Sequence, residues 1–394
     1  MKKAGKELLE IGIRKCCAIL YRGMWVLPVK PGRIYFQSYE KAIGYCGNPK
    51  YLCEFLRAQE AGYELVYAIG KGVIPPEIPG VRFVRLYSRA WLKSIATAGT
   101  IITNVRAPLF LSRRKRQLTI NTWHAGGAYK RIGIAGADAG NEKILALSNE
   151  RNRRYFNLFL SSSEKFTETN ILEAFRYDGR ILQSGMPRND LFFDRERVKE
   201  ANRKIRQEYR LKEDDFAVLI APTFRAEGKE KNTGFAGFPM EILEKRIREK
   251  TGRRPVFLIR KHHRDTTAYR FGDNVLDVSG WADTQELLCA ADLLVTDYSS
   301  VMWDYCLMKR PILLYAPDVK KYEVQDRGFY TPIRTWPGIL CEGPEEMEKC
   351  LETLERTDFE KKDEEYLTRM GSFEQGTACA QVLEAIRAFH GTEP

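Results

Sequence analysis

Four histidines occur in the 394 residues, and three of them stand in loops that could do chemistry. His124 lies in "INTWHAGGAYKRIG", just past a candidate strand, with Trp123 before it, Gly126 and Gly127 after it, and Lys130-Arg131 beyond. Imidazole is the side chain whose ordinary pKa lets it take or give a proton near neutrality, and the glycines permit close backbone approach by a ligand. From Ile101 to Ala135 there are seven Lys or Arg and no Asp or Glu. A lone histidine is more often structural; the acid-free window is what argues for phosphate contact or catalysis here.

The second loop is "VFLIRKHHRD", again a strand running into Arg260, Lys261, His262, His263 and Arg264. One histidine loop in each half of the chain suits a cleft between two halves. Zinc ligation is the rival reading, and it is weak because cationic surroundings repel a metal ion.

The third stretch is "ADLLVTDYSSVMWDYCLMKRPILLY", where a strand over 293–296 meets Asp297-Tyr298-Ser299-Ser300 and a helical pattern follows. A serine at a helix start adds a hydroxyl to free N–H groups and the positive dipole end, which together favour an anion. The alternative is that Ser299 and Ser300 only cap the helix. Lys309, Arg310 and Arg327 (in "DRGFY") add cations, and "IAPTFR" puts Thr223 and Arg225 just past another strand. "GMPRND" places Arg188 and Asn189 where a turn explains them as well as a function does. There is no DxD pair to clamp a metal–nucleotide complex, no Walker A lysine loop and no GxGxxG after a strand. No metal and no cofactor are expected.

The elements that must carry these loops read as short apolar runs alternating with longer helical patterns, the pattern of parallel-sheet α/β architecture. Candidate strands are 34–36, 65–69, 82–84, 100–104, 118–122 and 157–160, then 217–221, 256–260, 275–278, 293–296 and 312–315. A charged helical stretch over 194–211 separates the two sets. The expected division is a basic amphipathic segment over 1–30, a Rossmann-like domain over 31–190 and a second over 191–394. The last helix, about 374–390, is able to pack back on the first domain.

The formal charge of +12 favours an anionic partner. Eight Lys or Arg against two Glu fall within the first 33 residues, with Leu9, Ile13, Cys16, Cys17, Leu20 and Met24 on one helical face. That segment is expected to lie on an anionic membrane surface; the bland alternative is a helix packed on the domain. No run approaches the ~20 apolar residues of a membrane span, and no signal peptide is seen. Nine scattered cysteines without CxxC spacing fit reduced thiols. The expected location is cytoplasmic, on the inner face of the membrane. Nucleic-acid binding is not expected, because basic residues are not interleaved with aromatics in any known module.

Together these pieces resemble the CDP-glycerol glycerophosphotransferase family of teichoic-acid synthesis. The carrying residues are "IYFQSYEKAIGYCGNPKYL", "NTWHAGGAYKRIG", "SGMPRNDLFF", "APTFR", "LIRKHH" and "VTDYSSVMWDYCLMKRPILLYAPDVKKYEVQDRGFY", in the family's order over most of residues 34 to 335. The resemblance implies a GT-B-like fold of two doubly wound domains facing across a cleft. It implies metal-independent transfer of glycerol or ribitol phosphate from a CDP-polyol donor to a hydroxyl of an undecaprenyl-linked saccharide or growing polyol-phosphate chain, with release of CMP. The family's histidines map onto His124 and His262, and its donor diphosphate site onto Ser299 and Ser300. Where many members follow the first histidine with Gly-Thr-Pro, this chain has Ala125-Gly126-Gly127. The runner-up reading is a GT-B glycosyltransferase that uses a nucleotide sugar; a non-enzymatic lipid- or teichoic-acid-binding scaffold is a more distant one.

Overall fold

The computed structural model describes residues 16–38, 44–59, 62–107, 111–136, 141–223, 235, 237–261, 272–325 and 328–391. The apolar runs form strands buried on both faces, as parallel sheets require. β1 (Lys30–Gln37), β2 (Glu64–Ile69), β3 (Val81–Arg85), β4 (Ala98–Thr103), β5 (Leu118–Asn121), β6 (Leu158–Ser161) and β7 (Arg180–Gln183) make one sheet. β8 (Phe216–Ala221), β9 (Pro255–Ile259), β10 (Val275–Asp277), β11 (Leu293–Thr296), β12 (Ile312–Tyr315) and β13 (Ile339–Cys341) make a second. The orders are β3-β2-β1-β4-β5-β6-β7 and β10-β9-β8-β11-β12-β13, with every pairing parallel.

In both sheets the strand order reverses once, between β1 and β4 and between β8 and β11. Helices leave opposite faces there, so a crevice opens beyond the carboxyl ends of those strands. Both crevices matter below.

The helices are α1 (16–23), α2 (Gly47–Ala58), α3 (Arg89–Thr97), α4 (Glu142–Tyr155), α5 (Glu164–Phe166, running on as a π-helix over Thr167–Ala174) and α6 (Arg195–Glu208). They continue as α7 (Met240–Thr251), α8 (Thr284–Ala290), α9 (Val301–Cys306), α10 (Val319–Gln325), α11 (Met347–Arg356), α12 (Phe359–Arg369) and α13 (Ala378–His390). α6 leads from the first sheet to the second and starts cleanly, because Asp194 Oδ1 accepts the N–H groups of Glu196 and Arg197.

α13 returns to the first sheet. Cys379, Val382, Leu383 and Ile386 are buried in one core with Ile34, Phe36, Leu52 and Ile102. Asp190 accepts the N–H groups of Ala378 and Cys379 at 3.0 and 2.8 Å, anchoring the helix start.

The N-terminal helix is held to the domain by a residue outside the expected apolar face. Tyr21, fully buried, is its anchor and donates to the Ser112 carbonyl at 2.8 Å. Tyr21 shares a core with Tyr155 and Phe156, which leaves Leu20, with Ile19, in solvent at 57% and 71% exposure. Arg114 secures the following turn by donating to the Trp25 and Leu27 carbonyls. Leu9 and Ile13 lie outside the described residues. Among the described residues no helix is long and apolar enough to cross a membrane.

Candidate active site

β5 ends at Asn121, and the chain must turn sharply to present His124. Trp123 takes a left-handed backbone (φ +50°), a conformation that costs a non-glycine residue roughly 1–2 kcal/mol. Three hydrogen bonds hold it there. Asn121 Oδ1 accepts the Trp123 N–H at 2.8 Å, and Asn48 Nδ2 donates to the carbonyls of Thr122 (3.1 Å) and Trp123 (2.9 Å). The Trp123 indole then packs between the His124 imidazole, 4.3 Å between centroids, and Phe175, at 4.5 Å.

The half-buried imidazole sets Nδ1 3.2 Å from the carbonyl oxygen of Asn104. A carbonyl only accepts, so Nδ1 carries the proton and Nε2 is the basic nitrogen. Asn104 directly follows β4, so the partner that fixes the tautomer sits at the first sheet's reversal point. Burial pushes the His124 pKa down to about 4; the nearby charges of Arg188 and Arg106 push the same way, against the pull of the Asn104 carbonyl. At neutral pH the ring is uncharged and able to accept a proton.

The glycines after it serve packing. A Cβ on Gly126 would fall 2.2 Å from Trp303 of α9, and one on Gly127 would fall 2.1 Å from the Tyr129 ring. The expected role of open ground for a ligand gives way at Gly126 to contact between the two halves, and Ser162 Oγ donates to its carbonyl. Further on, Lys130 bridges to Phe329, the Arg131 N–H donates to the Gly328 carbonyl at 3.1 Å, and the Tyr330 N–H donates to the Tyr129 carbonyl at 2.9 Å. The loop is thereby laid along the "RGFY" stretch; Arg327 itself lies outside the described residues.

At the second sheet's reversal point, buried Asp297 Oδ1 accepts the N–H groups of Tyr298 (2.6 Å) and Thr223 (2.9 Å), tying the end of β11 to the end of β8. Ser299 and Ser300 follow, half-buried, at the start of α9. Ser300 makes no side-chain cap, and Ser299 Oγ is a long 3.4 Å from the Val301 N–H, so capping accounts poorly for this pair. Lys309 and Arg310 lie past the opposite end of α9. Lys309 pairs with Glu360 at 3.4 Å and Glu364 at 3.7 Å, and Arg310 donates to the carbonyls of Cys289 and Ala291; neither joins the serines. Arg225, His262, His263 and Arg264 lie outside the described residues.

Arg188 joins the two crevices. Its Nη1 donates to the His124 carbonyl at 2.8 Å, and its Nη2 pairs with buried Asp304 of α9 at 2.6 Å. Asp304 also accepts from Gln285 at 3.0 Å. Beside this pair, Glu374 accepts from the Met186 N–H, Asn189 Nδ2 and Trp303 Nε1, each at 2.9 Å. Burial pushes its pKa up to about 8, against the pull of those three donors. Asn48, Asn104, Asp304 and Glu374 carry no signal in the sequence: each acts on a group far along the chain. Arg188 was visible only as part of a turn-like motif. Among the described residues no group of three or more His, Cys, Asp or Glu is placed to hold a metal ion.

Two doubly wound sheets, joined by an arginine that spans from a histidine loop to a serine-bearing helix start, define a GT-B-like α/β protein. The chain belongs to the CDP-glycerol:poly(glycerophosphate) glycerophosphotransferase family, which it matches over residues 19–388. It is 29% identical to the teichoic acid poly(glycerol phosphate) polymerase of Staphylococcus epidermidis over 91% of this chain, but spans only 51% of that protein. It is 28% identical to the teichoic acid glycerol-phosphate transferase of Staphylococcus aureus, with 98% of this chain and 99% of that one covered. A solved structure of the wall teichoic acid polymerase TagF with CDPG superposes with a TM-score of 0.77 at 28% identity, covering 91% of this chain and 89% of that one.

Proposed function

We propose that the chain transfers glycerol phosphate or ribitol phosphate from a CDP-activated polyol to a hydroxyl of an undecaprenyl-linked saccharide or a growing polyol-phosphate chain. The observation that carries this reading is His124: uncharged, its tautomer fixed by Asn104, and tied through Arg188 and Gly126 to the helix behind Ser299 and Ser300. The names of the relatives agree with it.

In this reading the acceptor oxygen attacks the donor phosphorus that bears the polyol. His124 Nε2 takes the hydroxyl proton as the new P–O bond forms, and the bond to the CMP phosphate breaks. His262 stabilises charge on the phosphate or protonates the departing CMP. Ser299, Ser300, Arg327 and Arg225 hold the donor diphosphate, supplying electrostatic stabilisation. Trp123, Gly126, Gly127, Lys130 and Arg131 form the loop on the acceptor side, so residues 31–190 serve the acceptor and 191–394 the donor. Exposed Ile19, Leu20 and Val26 in a lysine- and arginine-rich segment support work at an anionic membrane surface, on its cytoplasmic face.

The test is release of CMP from CDP-glycerol and CDP-ribitol, with UDP-sugars alongside. Positioned general bases contribute roughly 10²–10⁴-fold, so His124→Ala is expected to lose at least about 100-fold while still binding the CDP-polyol. A near-normal rate overturns the assignment, and turnover of a UDP-sugar alone turns the protein into a glycosyltransferase. Full activity in excess EDTA is the companion expectation, since the sequence lacks a carboxylate clamp; strict metal dependence contradicts it.

A further inference from the structure

Of the two arginines whose charge reaches His124, Arg188 is paired with Asp304, and Arg106 makes no ion pair among the described residues. Arg106 leaves the end of β4 two residues after Asn104 and donates from Nη1 to Ser148 Oγ of α4 at 2.9 Å. Its charge reaches His124, and its guanidinium stands 5.9 Å from the Phe175 ring. Arg151 lies about one turn along α4 from Ser148, and its buried Nη1 has no hydrogen-bond partner. Another turn on is Tyr155, within reach of the charge of Arg113, whose buried Nε is likewise unpartnered. Among the described residues none of the three guanidiniums pairs with a carboxylate. Glu150, on the same helix, is taken by Arg153 and Arg154.

The half-buried Arg106, Arg151 and Arg113 thus belong to successive turns of α4, marked by Ser148, Arg151 itself and Tyr155, which span ~10 Å of helix. Leaving a buried N–H without an acceptor is costly, and burial without a counter-charge holds Arg106 below its ordinary pKa. An anion with several oxygens answers Arg106 and Arg151 together, because the planar guanidinium fork matches phosphate oxygens two at a time. The same helix carries Ile144 and Leu147 in solvent, at 67% and 74% exposure, giving hydrocarbon a surface next to the arginines.

We infer that Arg106 and Arg151, with Arg113 behind them, form a subsite for the phosphate-bearing part of the acceptor, holding it so that its hydroxyl reaches His124. What the acceptor is rests on the proposed reaction; that the arginines bind a diphosphate or phosphodiester does not. Two sources share this chemistry, the diphosphate of a lipid-linked saccharide and the phosphodiesters of a growing chain.

The experiment titrates inorganic pyrophosphate into the full chain by calorimetry, with CDP present to occupy the donor site. Arg106→Gln/Arg151→Gln is expected to bind about tenfold more weakly or worse, and Arg153→Gln, whose side chain is exposed and paired, to bind normally. The charge-retaining Arg106→Lys/Arg151→Lys variant recovers part of the affinity and guards against a simple folding defect. Kinetics with two acceptors then name the source. A rise in KM for the lipid-linked saccharide alone indicates the lipid diphosphate, and a rise for the polyol-phosphate chain alone indicates the phosphodiester. CDP-polyol affinity stays unchanged in both cases. Normal pyrophosphate binding by the Gln variant overturns the subsite, whatever the turnover. Loss of binding in a protein that turns over no CDP-polyol keeps the subsite and removes the proposed reaction.

Discussion

At the scale of single residues, His124 departs from ordinary imidazole behaviour in a way that pH reveals. Its pKa of about 4 lies below the usual ~6.5. The acid limb of kcat/KM, which reports the free enzyme, is therefore expected near pH 4 rather than near 6.5. The same shift enters stability. Between about pH 4 and 6.5 the unfolded chain binds a proton on this ring and the folded chain does not, so stability falls as pH drops through that window. His124→Asn is expected to flatten that part of the curve, as urea denaturation at stepped pH would measure; an unchanged slope contradicts it. The residue itself was legible from its type, the glycines and the acid-free window. The groups that govern its chemistry were not, because the Asn104 carbonyl and the Asn48 amide meet it only through folding.

Among the elements, α2 matters to the site through one side chain. Asn48 donates to two carbonyls of the strained turn and accepts the Arg188 N–H at 3.1 Å. Removing a buried partner of this kind costs about 1–3 kcal/mol. Asn48→Ala is expected to lower the melting temperature and reduce kcat about tenfold or more while CDP-polyol affinity holds; a loss of donor affinity instead would place Asn48 on the donor side. Gly126→Ala drives a methyl into Trp303 and is expected to be worse than Gly127→Ala, whose clash is with the Tyr129 ring of its own loop. Most strands were readable because both faces are buried and the runs are continuously apolar. The two unforeseen ones, β7 and β13, are sheet edges: β7 reads Arg-Ile-Leu-Gln and is half in solvent, so no continuous apolar run announces it. That Tyr21 fastens α1 to the domain was not legible, because helical periodicity does not register a tyrosine's hydrogen bond to a distant carbonyl.

Across the whole molecule the halves are held together by buried charge as well as by chain. Lys50 of α2 meets Asp283, at the cap of α8, and Glu286 at 3.2 Å, while Lys204 of α6 reaches Glu286 at 3.1 Å. Burial pulls the Lys50 pKa down, but Asp283, Glu54 and Glu286 together hold it above its ordinary value. Breaking such a pair by removing one partner strands the other charge, typically costing about 3–5 kcal/mol. Lys50→Ala is expected to lose stability on that scale in urea denaturation; a loss under about 1 kcal/mol would mean that water reaches the carboxylates. Arg188–Asp304 and the three donors on Glu374 complete the seam beside the candidate site.

The return of α13 to the first sheet has a consequence for the order in which the protein can mature. A ribosome delivers Val382, Leu383 and Ile386 only after both sheets, yet their burial places are the flanks of the first sheet's strands. Until then the first sheet carries an uncovered apolar strip, a surface on which nascent chains aggregate or recruit chaperones. A chain stopped after Thr377 is expected to emerge insoluble or dye-binding even though both sheets are fully encoded in it, and a separately supplied peptide of residues 378–391 to rescue part of it.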